Sequence, residues 1–73
     1  MFELKDDDFS WREGLTVIEL LEELRARGRY RAATESPSTM VVINGKIVTR
    51  DQYPSRIVGK NDMVQLMSFV TGG

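Results

Sequence analysis

The chain has 73 residues and contains neither cysteine nor histidine. Thiol nucleophiles, imidazole general bases and Cys/His zinc sites are therefore all excluded. No disulfide can staple the fold. A domain this small buries only about 60% of the surface its unfolded chain exposes, so its stability rests on one compact apolar core. A net charge of −1 gives no bulk attraction to nucleic acid or to an anionic membrane. No apolar run approaches the roughly 20 residues of a membrane span, and the acidic first residues do not read as a signal peptide. With so little side-chain chemistry available, the protein is expected to act by being bound, not by catalysing.

The patterning that remains is clear in places. Phe2-Glu3-Leu4-Lys5 alternates apolar and polar residues, as a half-buried strand does. Asp6-Asp7-Asp8 interrupts it with turn-forming residues, and Phe9-Ser10-Trp11 alternates again, which predicts an N-terminal hairpin. A helix is predicted over about residues 16–27. Thr16 and Glu19 form a capping box, and Leu15 and Leu20 a hydrophobic staple. Val17, Leu20, Leu21 and Leu24 make one apolar stripe. Arg25 and Arg27 suit the last turn, and Gly28 suits the stop.

Residues 28–38 read as a polar loop. Met40 to Ile43 and Lys46 to Val48 are short apolar runs joined by Asn44-Gly45, a strong hairpin signal. Pro54 marks a turn within residues 49–59. A last strand is expected from Met63 to Val70. If Val64 and Leu66 face the helix, Gln65, Met67 and Phe69 face away from it. Exposed apolar groups of this kind mark interfaces, so Met67 and Phe69, joined by Val42, are candidates for partner docking.

Other features read more plainly. The arginines at 25, 27, 29 and 31 are expected to be solvated charge, and Asp6 to Asp8 a solvated turn. Asp62 is expected to cap a turn and Trp11 to pack. Tyr30 and Tyr53 receive no role. The chain closes on Gly72-Gly73, a pair expected by chance about once in 200 at average glycine usage.

Taken in order, Thr16-Val17-x-Glu19-Leu20-Leu21, Val42-Ile43-Asn44-Gly45-Lys46-Ile47-Val48-x-Arg50, Asn61-Asp62-x-Val64 and Gly72-Gly73 resemble the ThiS/MoaD sulfur-carrier family. The resemblance is weakest over residues 1–14 and 28–38. It implies an α+β, ubiquitin-like β-grasp fold: a mixed four- to five-stranded sheet crossed by one main helix. Residues 1–73 would form a single domain with a flexible tail at about 70–73.

The resemblance also implies a chemistry. A ubiquitin-activating-type adenylyltransferase would use ATP to adenylate the Gly73 carboxylate, Gly72 keeping the tail slim. Sulfur from a donor would convert the adenylate to a thiocarboxylate, and a thiazole-synthase-like enzyme would accept it in the cytoplasm. The carrier would bind no cofactor itself. Met67, Phe69, Val42, Val70 and Thr71 would meet its partners.

The segment Asn44 to Tyr53 looks closest to the thiamine branch. A molybdopterin-type carrier, a ubiquitin-like modifier and a non-catalytic interaction domain are the alternatives. Asn61 stands where a glycine is usual and is expected to adopt the left-handed conformation there.

Overall fold

The computed structural model describes residues 2–68. The elements are β1 (Phe2–Glu3), α1 (Val17–Ala26), α2 (Arg31–Glu35), β2 (Thr39–Ile43), β3 (Lys46–Val48), a 3-10 turn (Arg50–Gln52) and β4 (Val64–Ser68). The four strands form one sheet in the order β1-β4-β2-β3.

The helix forms as its sequence dictates. The Glu19 N–H donates to Thr16 Oγ1 at 3.3 Å, and the Thr16 N–H donates to Glu19 Oε1 at 3.0 Å. At the other end Gly28 takes φ +67°. Its N–H reaches the Arg25 carbonyl at 3.1 Å, and the Arg29 N–H reaches the Leu24 carbonyl at 2.9 Å. These two bonds make a Schellman stop, which satisfies carbonyls the helix would otherwise leave open.

Val17, Leu20 and Leu24 are buried, while Leu21 is half-buried and packs at the margin of the core. Their sheet partners are Val41, Ile43, Val48, Val64 and Leu66. Each large side chain fully buried here contributes about 1.5–3 kcal/mol relative to exposure.

The Asn44-Gly45 hairpin is present. Both residues have positive φ, +53° and +82°, the geometry whose twist suits a two-residue hairpin. Val64 and Leu66 face the core as expected.

Several expectations are corrected. Residues 9–11 form no strand, so among the described residues there are four strands and no N-terminal hairpin. Their donors go elsewhere: the Ser10 N–H to Glu23 Oε1 at 2.8 Å, and the Trp11 indole N–H to the Val58 carbonyl at 2.9 Å. The segment is thus tied to the helix and to a loop, not to a sheet edge. All strand pairings among the described residues are antiparallel, including Phe2↔Leu66 and Glu3↔Gln65, where a mixed sheet was expected.

Residues 28–38 are not simply a loop. Tyr30 turns the chain at φ +51° and α2 follows, burying Ala33.

The Asp6–Asp8 turn is only partly solvated, because Asp8 is just 2% exposed. Its carboxylate accepts the Lys5 N–H at 2.8 Å, the Tyr30 hydroxyl at 2.8 Å and the Arg29 guanidinium at 3.2 Å. The basic run is likewise more than solvated charge. Arg29 pairs with Asp8, and Arg27 bonds the Asp7 carbonyl, Ser10 Oγ and Glu23. The acidic turn and the basic helix end hold each other.

Candidate functional site

β4 lies between β1 and β2. Its five residues pair in unbroken register with β2, from Ile43↔Val64 to Thr39↔Ser68. The residues beyond Ser68 are therefore rooted on an interior strand, bonded on both sides over part of its length. At that root the Thr39 and Ser68 hydroxyls are 3.0 Å apart and hydrogen-bonded.

The start of β4 is fixed by a polar lock. The Gly59 N–H donates to Asp62 Oδ2 at 2.7 Å, and Asn44 Nδ2 donates to Asp62 Oδ1 at 2.9 Å. Asn44 Oδ1 accepts the Met63 N–H at 2.9 Å, and the Asn44 N–H reaches the Met63 carbonyl at 2.9 Å. The hairpin turn and the entry to β4 thus share one amide side chain. The Gly59 and Asn44 donors hold the Asp62 carboxyl below the usual aspartate range against a smaller opposing effect of burial. A Cβ at position 59 would lie 3.1 Å from Asp62 Oδ2, a tight contact that would press on the carboxylate, so glycine gives it the most room. Asp62 caps a turn, as expected. Asn61 does not adopt the left-handed conformation expected of it; the Asp62 side chain, not a glycine-like dihedral, closes the turn.

The face of the sheet turned away from α1 carries Met67 opposite Met40, and Gln65 opposite Val42 with Ile47 beyond. Met67 is half-buried, as is Met40, and Ile47 is 50% exposed. Val42, expected among the contact residues, is 4% exposed and forms the floor of this surface. It lies outside the main core cluster, consistent with its place on the opposite face. Met40 and Ile47 were missed by the sequence reading. The signal was available: the hairpin register through Asn44-Gly45 puts both on the face of Val42 and Met67.

Phe69, Val70, Thr71, Gly72 and Gly73, which the sequence reading assigned to docking and to the working terminus, lie outside the described residues. Among the described residues no group of three or more carboxylates is placed to hold a metal ion. Also among them, no helix is long and apolar enough to cross a membrane.

One main helix packed on a four-stranded sheet, with the last strand inside it, defines a ubiquitin-like β-grasp protein. The chain belongs to the ThiS family, whose sequence model matches residues 2–73. Membership gives the protein a sulfur-carrier role, with adenylating and sulfur-accepting enzymes as its general kinds of partner. Members of the family are small carrier proteins and not catalysts. No curated protein matches the chain.

Proposed function

We propose that this chain carries sulfur on the carboxyl group of Gly73, acting as one β-grasp domain over residues 1–73. A carboxylate oxygen attacks the α-phosphate of ATP on a ubiquitin-activating-type adenylyltransferase, and pyrophosphate leaves. Hydrosulfide, or its equivalent from a donor protein, then displaces AMP and leaves a thiocarboxylate. A thiazole-synthase-like enzyme takes that sulfur for the thiazole ring of thiamine, in the cytoplasm. ATP and the sulfur donor are used through the partners, and the carrier binds neither.

The observation that carries the reading is the family match, which runs through residue 73 and so includes the diglycine. Physical considerations support it. A thiocarboxylate needs no side chain, so a protein without cysteine can carry reactive sulfur. Two glycines present no Cβ to a narrow ATP pocket. The apolar surface around Met67 and Met40 offers a partner a grip close to the root of the tail. The thiamine assignment leans on the segment from Asn44 to Tyr53, which has the thiamine-type order of hairpin turn, strand, arginine and aromatic.

The test is intact-mass analysis after incubation with ATP, magnesium, sulfide and the adenylyltransferases of the same cell. The expected product is the free protein with one oxygen replaced by sulfur. Loss of that product on deleting Gly73 places the group. Heavier adducts on lysines instead would make the chain a modifier, and no adenylate with any of these enzymes would refute the reading. Transfer of the sulfur to a thiazole synthase, and not to a molybdopterin synthase, separates the two branches.

A further inference from the structure

A cleft of about 590 Å³ opens between α1, the segment following α2 and the 3-10 turn, within the size range of ligand-binding clefts. It lies on the helix side of the sheet, away from the Met67 surface. Leu21, Ala33, Val41 and Tyr53 supply its apolar lining, and Ile18, 39% exposed, stands at its edge.

Its charge is not random. Arg25 donates to the Thr34 carbonyl at 3.3 Å, and Arg50 donates to the Pro37 carbonyl. Both guanidiniums are thereby held on the same short stretch of backbone. Thr34 and Pro37 are three residues apart, so even a fully extended chain would separate their Cα atoms by no more than about 11 Å. Among the described residues, Arg12, Arg27, Arg29 and Arg31 are each paired with a carboxylate, whereas Arg25 and Arg50 are not. Of the two acids lining the cleft, Glu35 lies 3.8 Å from Arg31, which leaves Glu22 to set against two arginines. The cleft therefore has an apolar interior and a surplus of positive charge at one end. Thr39, bonded to Ser68, is part of its wall, so it opens beside the root of the residues that follow β4.

We propose that this cleft is a second docking surface, and that its occupant is an amphipathic segment of a partner protein with an apolar stripe flanked by carboxylates. The apolar stripe fills the space over Leu21 and Val41, and a carboxylate meets the forks of Arg25 and Arg50, the geometry in which arginine binds carboxylate best. The two surfaces lie on opposite faces of the sheet, so a partner here leaves the Met67 surface open to another. The claim does not depend on the chemistry at Gly73.

The experiment is an NMR titration of the ¹⁵N-labelled full chain with an N-acetylated, C-amidated peptide bearing leucines at helical spacing and glutamates on the flanks. The expected result is saturable shifts at Ile18, Leu21, Thr34, Thr39 and Tyr53. Replacing the glutamates by lysine should weaken binding about tenfold or more, as should the R25Q/R50Q double variant. Absence of saturation up to about millimolar peptide, equal binding of the two peptides, or shifts confined to the Met40–Met67 face would each overturn the proposal. So would tighter binding of 4-phenylbutyrate than of the acidic peptide, which would make the cleft a small-ligand site. Should the double variant fail to fold, the comparison of the two peptides on the unaltered chain decides. A null result here leaves the mass test of sulfur loading intact, and failure of that test leaves this one intact.

Discussion

Replacing Asp8 by alanine should destabilise the protein more than any other substitution of an acidic residue near its surface. The carboxylate accepts three hydrogen bonds, from the Lys5 N–H, the Tyr30 hydroxyl and the Arg29 guanidinium. Without it Arg29, about half exposed, can turn to water. The Tyr30 hydroxyl and the Lys5 N–H lose partners in a less solvated place. An unpaired buried donor costs about 1–3 kcal/mol, and both sites are only partly buried, so a total of about 2–3 kcal/mol is expected. A chain of this length has on the order of 4–11 kcal/mol in all. At about 4–8 °C per kcal/mol, the melting temperature should fall by roughly 8–24 °C.

Asp8→Asn keeps an acceptor and the shape but loses the charge, and should fall between alanine and the parent. The same pair gives a pH test. Burial is the largest single influence on the Asp8 carboxyl and raises its pKa. The Lys5 N–H, the Tyr30 hydroxyl and the nearby Arg29 and Lys5 charges together outweigh it, so the pKa lies below the ordinary 3.8. A depressed carboxylate pKa means the unfolded state takes up the proton first. The stabilisation from ionised Asp8 is therefore full above the ordinary value and disappears as pH falls through the lowered one. Asp62 titrates low as well, so the informative quantity is the difference between parent and Asp8→Asn, in which the Asp62 effect cancels. That difference should be constant near neutral pH and shrink in acid. Thermal unfolding followed by circular dichroism measures both. A melting temperature for Asp8→Ala within about 4 °C of the parent, or a gap to Asp8→Asn that does not change in acid, would refute the reasoning.

Three further outcomes are expected. Thr16→Ala removes the cap of α1 and should cost about 1 kcal/mol, seen as a lower urea midpoint with an unchanged slope. Asn44→Ala leaves at φ +53° a residue less tolerant of the left-handed region than asparagine, and removes the side-chain bonds to Asp62 and Met63. It should cost about 2–4 kcal/mol, and Asn44→Gly, which keeps the dihedral at no strain, about half of that by the same measurement. Met67→Lys should leave the melting temperature nearly unchanged while raising KM for loading by the adenylyltransferase about tenfold; an unchanged KM would remove Met67 from the docking surface.

Legibility of the fold varied with how local each element is. The helix was readable because its cap, stripe and stop all lie within one stretch of chain from Leu15 to Gly28. The Asn44-Gly45 hairpin was readable for the same reason, since a two-residue turn fixes its own register. The N-terminal segment was misread because Phe9-Ser10-Trp11 alternates like a strand, while its donors are claimed by Glu23 and Val58, residues far along the chain. Asp8 looked like a turn residue and became a buried anchor, because Arg29 and Tyr30 reach it across more than 20 positions.

For the candidate site, Met67 was placed on the correct face by alternation alone. Met40 and Ile47 could have been added from the same local signals, since alternation ties Met40 to Val42 and the Asn44-Gly45 register ties Ile47 to it. The cleft with Arg25 and Arg50 had no sequence signature at all, for it joins a helix end, a 3-10 turn and a backbone loop that are separate in the chain.

By itself the sequence determined what this protein lacks, where its helix begins and ends, and the order of motifs that marks its family. Each of those is a property of residue types or of neighbours within a few positions. The tertiary structure alone decided that Asp8 is buried, that β4 runs between β1 and β2, and that two arginines with no carboxylate partner among the described residues share one cleft. Those depend on which distant segments meet, and long-range pairing is set by the packing of the whole core rather than by any local preference.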